Sequence, residues 1–228
     1  MIDRTAAGSS HNHAESANRM AQFPNLAAAG KLLVEKLRDQ DLSDALVVAI
    51  ACAGVPVGRE IATLLSLPFD ILLNRRLLAP QGPGSQIGAV SVAGTTVLDE
   101  GINLPTDPST PLEHFIVDAM YQFHQRVNVC RAGRRPVTIT NRKIVLVDCA
   151  IHTGSTMKGA LRGVRKLRPA RIIAAVPAAS RDGSALIESD ADEFIWLAQP
   201  EPFGHSAMWY KNFDRPGDED VPKFLDVT

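Results

Sequence analysis

Asp148 and the run Thr153-Gly154-Ser155-Thr156 are the residues of this chain best suited, by type and spacing, to hold a sugar phosphate. Four apolar β-formers, Ile144 to Val147, lead into the acid, and a short turn then reaches the hydroxyl-rich run. Where a helix opens at such a turn, its first backbone N–H groups have no intrahelical partner and its dipole adds partial positive charge. Gly154 lets an anion approach that backbone closely. The hydroxyls of Thr153, Ser155 and Thr156 add donors, and Asp148 at the strand tip can accept from sugar hydroxyls. A plainer reading of the same residues is a Ser/Thr helix cap beside a strand-end acid bonded to a nearby N–H.

Such a turn needs a strand before it and a helix after it, and the sequence supplies that alternation along most of its length. Apolar residues at helical spacing predict a helix over Leu26 to Leu37. Ala45 to Ala53 is a continuous apolar run suited to a buried parallel strand, and Gly54-Val55-Pro56 turns it into a helix from about Val57 to Ser66. Phe69 to Leu73 is the next strand, ending near Arg75-Arg76, and Gln81 to Ser85 is a Gly/Pro loop. Gly88 to Val92 and Thr95 to Leu98 read as a hairpin, and Leu112 to Val129 as a helix. Arg131 to Arg142, with Arg126 at the helix end, reads as a solvated basic connector. The strand at Ile144, a helix from Met157 to Leu167, and strands at Arg171 to Pro177 and Phe194 to Leu197 complete the series. The expected class is α/β: a single doubly wound, mostly parallel sheet flanked by helices.

Composition narrows the function further. The 228 residues suit one large domain, and a net charge of −1 gives no general affinity for nucleic acid or an anionic membrane surface. No helix-turn-helix is evident, and the longest apolar stretch, around Ala45 to Val57, is too short to span a bilayer. The expectation is a cytoplasmic protein with no nucleic-acid or membrane partner, a homo-oligomer remaining open. Cys52, Cys130 and Cys149 are too few and too scattered for a disulfide framework or structural zinc, so reduced thiols are expected.

The strand, acid and Thr-Gly-x-Thr turn resemble the signature of the type I phosphoribosyltransferases, in which acids and this turn hold the ribose and 5-phosphate of phosphoribosyl pyrophosphate (PRPP). Further stretches are similar to one bacterial subgroup of that family: Gly54-Val55-Pro56-Val57, Arg75-Arg76-Leu77, Ile87-Gly88-Ala89-Val90, Ala174-Ala175-Val176-Pro177, Trp209-Tyr210 with Phe213, and Asp218-Glu219-Asp220-Val221. The resemblance implies a flexible N-terminal arm over residues 1–22 and a phosphoribosyltransferase-like domain over 23–228, with a small hairpin hood at about 78–111.

It also implies roles. Thr153, Gly154, Ser155 and Thr156 would take the 5-phosphate, and Asp148, with Cys149 beside it, the ribose. Cys52, Ala53, Gly54, Arg75 and Arg76 would lie on the pyrophosphate side, and Mg²⁺ would enter with PRPP rather than on a dedicated protein site. The chain departs from the pattern at several points. Ala150 follows where Gly is usual, His152 stands where a small residue or an Asp is usual, and Ala53 replaces a Gly. Two further departures fall on expected ligand contacts. Cys149 stands where a second acid is usual, and Cys52 where the pyrophosphate loop usually carries Arg. His152, between acid and phosphate turn, would handle the proton of the incoming base, contact phosphate when charged, or simply face solvent. The implied activity is transfer of the phosphoribosyl group to a nitrogenous acceptor with release of pyrophosphate. The alternative is a non-catalytic sensor or binding module for PRPP, a nucleotide or another phosphorylated sugar. Cys52 and Cys149 are expected to share one cleft, since each follows a parallel strand.

Overall fold

The computed structural model describes residues 22–73, 75–78, 86–91, 95–98 and 112–226, with the side chains of 75–78, 86–91, 95–98, 112–116, 118 and 119 left aside. Five parallel strands form the central sheet: β2 (Leu46–Ile50), β3 (Phe69–Leu72), β7 (Lys143–Val147), β8 (Arg171–Ala178) and β9 (Glu193–Ala198). Their spatial order is β3-β2-β7-β8-β9. From β2 the chain steps to β3 on one side, then returns to place β7 on the other side of β2, in register from Leu46↔Ile144 to Ala49↔Val147. The order therefore reverses between β2 and β7. At such a switch point the loops beyond the two strand ends diverge and leave a crevice for a ligand.

The continuous apolar runs are explained by burial on both faces. Val47, Ala49, Val145 and Val147 pack with Leu26, Leu33 and Leu37 of α1 (Leu26–Leu37), and with Val57 and Ile61 of α2 (Gly54–Leu65). The alternate residues Leu46, Val48, Ile144 and Leu146 pack on the other face, against Met157, Leu161 and Val164 of α4 (Ser155–Lys166) and Ile187 of α5 (Arg181–Glu188). Burial of each such Leu or Ile contributes about 1.5–3 kcal/mol, so each helix is fixed to its face by several kcal/mol. A doubly wound α/β sheet with helices on both faces is thus the architecture of the chain.

The long helix α3 (Leu112–Arg131) ends in an arginine that the charge pattern places in solvent but the structure buries. Arg131 Nη1 donates to Asp70 Oδ1 at 2.9 Å and Nη2 to the Ile71 carbonyl at 2.7 Å. The Asp70 carboxylate accepts further bonds from the Ile71 and Val137 N–H groups, so the buried pair is satisfied and ties α3 to β3. A buried guanidinium is tolerated only with this degree of pairing.

Two small sheets complete the fold. β4 (Arg75–Leu78), β5 (Gln86–Ser91) and β6 (Thr95–Leu98) form an antiparallel three-stranded unit, one strand more than the expected hairpin. Arg75 and Arg76 therefore open a strand of their own; where their side chains point lies outside the described residues, as do residues 1–21 of the expected arm and most of the hood loops. β1 (Phe23–Asn25) pairs in parallel with β10 (Tyr210–Asn212) beside the Phe23–Tyr210 ring contact, and the short α6 (Pro222–Leu225) follows. No helix among the described residues is long and apolar enough to cross a membrane.

Candidate active site

Asp148 lies immediately beyond β7, and its Oδ1 accepts the N–H of Cys149 at 2.7 Å. Gly54, the first residue of α2, is pressed against this strand end: a Cβ there would stand 2.9 Å from the Val147 carbonyl oxygen and 3.0 Å from Asp148 Cα. A residue without a side chain is what lets the loop after β2 and the loop after β7 meet at the switch point. Burial pushes the Asp148 carboxyl up to about 7, and the Cys149 N–H only partly counters it. No basic side chain among the described residues pairs with this carboxyl.

The phosphate-type turn has the geometry its sequence suggests. Gly154 is the N-cap of α4 in the left-handed region, with φ 78°, and no side chain caps the helix. Thr153 Oγ1 donates to Ser155 Oγ at 3.3 Å. The leading N–H groups of α4 are left without an intrahelical acceptor, as at any helix start. Beside them is a cavity of about 260 Å³ lined by Asp148, Cys149, His152, Thr153, Gly154 and Thr156 among others. The structure thus brings Asp148 and the turn of Thr153, Gly154 and Thr156 onto one cavity.

The turn is held from behind. Ile151 forms a parallel bridge with Ala179, its N–H donating to the Ala178 carbonyl and its own carbonyl accepting from Ser180 N–H, each at 2.9 Å. Ser180 Oγ donates to the His152 carbonyl and accepts from Gly183 N–H, fastening the turn to the first residues of α5. His152 itself is exposed, its ring stacked on Phe203 at 5.6 Å between centroids and 10° between planes. A second cavity of about 480 Å³ adjoins the first and is lined by His152, Thr153, Ser180, Arg181, Glu201 and Phe203 among others.

The loop after β2 carries Cys52 and Ala53, with a cis peptide between Ala51 and Cys52. Cys52 and Cys149 belong to the core on the same sheet face, and Cys149 lines the smaller cavity. The Cys52 thiol is engaged elsewhere than expected: Sγ donates to Asp218 Oδ1 at 2.8 Å and accepts from Arg126 Nη2 at 3.3 Å. Burial, then the Asp218 carboxylate, push this thiol up, and burial pushes Cys130 nearby up to about 12. All three cysteines are free. Arg126 holds the Asp218 carboxyl below its ordinary range.

Reasoning from sequence overlooked Arg126 and Asp218, since nothing in spacing links residues that far apart, and it took Arg126 for part of the solvated connector. It also gave no role to Tyr210, whose hydroxyl donates to the Cys149 carbonyl from a buried position. Tyr210→Phe should lower stability by about 1–2 kcal/mol, the loss of one buried hydrogen bond, and lower Tm by a few degrees. Thermal denaturation measures this directly; an unchanged Tm would mean that the hydroxyl does not anchor the loop.

Among the described residues no group of three or more His, Cys, Asp or Glu side chains gathers as a metal site. The profile of the phosphoribosyl transferase domain matches residues 16–206. The chain belongs to the phosphoribosyltransferase family. A Mycobacterium tuberculosis member named "Putative phosphoribosyl transferase" is 31% identical over 212 residues, covering 91% of this chain and 47% of the relative. The chain thus spans about half the length of the curated relatives it matches. Among solved structures, TT1426 from Thermus thermophilus is 29% identical, covers 90% of this chain and 97% of its own, and superposes with a TM-score of 0.75. A hypothetical protein from Neisseria gonorrhoeae, solved with bound ppGpp, shares the fold at 13% identity and a TM-score of 0.51, covering 89% of this chain and 96% of its own.

Proposed function

We propose that this phosphoribosyltransferase-family chain binds PRPP and transfers its phosphoribosyl group to a nitrogenous acceptor. The observation that carries the reading is the uncapped start of α4 opening on the same cavity as Asp148, at the reversal of strand order. The leading N–H groups of α4 and the hydroxyls of Thr153, Ser155 and Thr156 take the 5-phosphate. Asp148 accepts from ribose hydroxyls and, once ionised, stabilises the positive charge that develops at C1. The acceptor nitrogen forms its bond to C1 as the bond from C1 to the pyrophosphate oxygen breaks. His152, beside the larger cavity, receives the acceptor proton, and the face of Phe203 flanks that position. The loop Cys52, Ala53 and Gly54 lies on the side of the leaving pyrophosphate, the side to which the resemblance also assigns Arg75 and Arg76.

Asp148 is the one carboxylate in the described lining of the smaller cavity, which fits a Mg²⁺ carried in on ligand oxygens and water rather than caged by protein. Mg²⁺ entering with the ligand would neutralise charge on the pyrophosphate. PRPP and free bases are small cytoplasmic metabolites, and three free cysteines suit a reducing compartment.

Calorimetric titration with ribose 5-phosphate and with PRPP and Mg²⁺ tests the binding step, and pyrophosphate release against a panel of nucleobases tests turnover. Ribose 5-phosphate should bind at about millimolar Kd or tighter, near 4 kcal/mol, and PRPP more tightly. The absence of heat with both ligands rules the reading out. Tight PRPP binding without pyrophosphate release from any base would make the chain a PRPP-binding module instead of an enzyme.

A further inference from the structure

Arg126 is held through Nε and Nη2, and its Nη1 is left over. Nε donates to Asp218 Oδ2 at 2.8 Å and Nη2 to Asp218 Oδ1 at 2.9 Å, while Nη2 also reaches Cys52 Sγ. Nη1 donates to none of the described residues, and the side chain is 22% exposed. A guanidinium presents five N–H donors in a planar fork, so the carboxylate sets the plane and leaves donors unused.

The Cys52 contact puts this fork on the loop after β2, which two residues later presses Gly54 against Asp148. The guanidinium, reaching from α3, therefore touches one of the two loops that flank the switch point, and the turn at Thr153 to Thr156 stands on the other, where a ligand of a doubly wound sheet reaches from one strand end to the next. A ligand with one phosphate engages the turn alone, whereas one with a second phosphorylated end spans to the loop after β2.

We propose that Arg126 binds the pyrophosphate end of the ligand through its Nη1 donors, the guanidinium being preset by Asp218 and Cys52. This rests on the reading that the turn at Thr153 to Thr156 takes the 5-phosphate of PRPP. Asp218 offsets much of the guanidinium's charge, so selection comes from directed donors rather than from long-range attraction. A fork already oriented loses little side-chain freedom on binding, which favours recognition of a diphosphate over a lone anion.

The experiment is calorimetric titration of the full chain, with ribose 5-phosphate and with PRPP and Mg²⁺, for wild type, Arg126→Met and Arg126→Lys. Arg126→Met should weaken PRPP about tenfold to hundredfold, the loss of a charge-assisted contact, and leave ribose 5-phosphate within about threefold. Arg126→Lys keeps a cation but not the fork, so its PRPP loss should be smaller, about threefold to tenfold, and it decides the matter should the Met variant fail to fold. A ratio of PRPP to ribose 5-phosphate affinity that stays at the wild-type value overturns the proposal, and so does an equal loss of both ligands, which would make Arg126 a clamp on the loop. A wild-type chain that binds neither ligand overturns the phosphate-turn reading and this proposal with it, an outcome distinct from the failure of Arg126 alone.

Discussion

Gly154→Val should remove measurable binding of ribose 5-phosphate and cost about 2–6 kcal/mol of stability. Two causes add. With φ at 78°, the residue occupies a region where a β-branched side chain is strained by about 1–3 kcal/mol. A Cβ would also stand 2.8 Å from the Gly183 carbonyl oxygen and 3.2 Å from Leu186 Cδ2, and such overpacking costs about 1–3 kcal/mol. The strain is relieved only by moving the start of α4 away from α5, which re-aims the N–H groups proposed to hold phosphate. Chemical denaturation and calorimetry together check this. Gly154→Ala should lie between wild type and Val in both measurements, and a Val variant that is folded, stable and binds ribose 5-phosphate normally would refute the account.

Asp148→Asn should stabilise the unliganded chain at pH 8 while weakening the ribose ligand. The Asp148 carboxyl is pushed by burial up to about 7, from an ordinary value near 3.8. The folded state therefore holds this proton across a window, roughly pH 4 to 7, in which the unfolded chain has released it. Stability contributed by the group falls as pH rises through that window and is level above it. Three pK units correspond to about 4 kcal/mol at most, and because the residue is only half-buried the expected difference is about 2–4 kcal/mol. The Asn variant escapes it: it should match wild type near pH 4 and exceed it at pH 8 by that amount in urea denaturation.

Ligand affinity should move the opposite way. Ribose hydroxyls donate to the ionised carboxylate, so wild-type affinity for ribose 5-phosphate should climb as pH rises toward 7. The phosphate itself gains charge near pH 6, and the wild-type profile minus that of the Asn variant isolates Asp148. Parallel profiles would show that Asp148 does not contact the ligand.

What the sequence made legible was the βα framework, because continuous apolar runs such as Ala45 to Ala53 have no stable home except between two helical layers. The helix over Leu26 to Leu37 matched its apolar spacing to the residue. The turn at Thr153 to Thr156 was readable as a strand-to-helix turn because its requirements are local: a strand end, a glycine at positive φ and a helix start. The helix itself begins at Ser155, two residues before the apolar periodicity does, since the N-cap geometry of Gly154 rather than hydrophobicity sets that boundary. The eight residues of α5 were missed because so short a helix, with Gly183 inside it, shows no clear period. Arg131 and Arg126 were misjudged for a different reason. Charge argues for solvent, and only the folded chain brings Asp70 to the first and Asp218 to the second.

The family profile ends at residue 206, yet Tyr210 and Asp218, which grip the loops after β7 and β2, both lie beyond that point. The signature turn and the struts that brace its loops are thus written in different parts of the chain. A change at Tyr210 or Asp218 would shift the loops after β7 and β2 relative to each other while leaving the signature turn untouched. The separation of the two loops is therefore set as much by the stretch from Trp209 to Asp220 as by the turn itself.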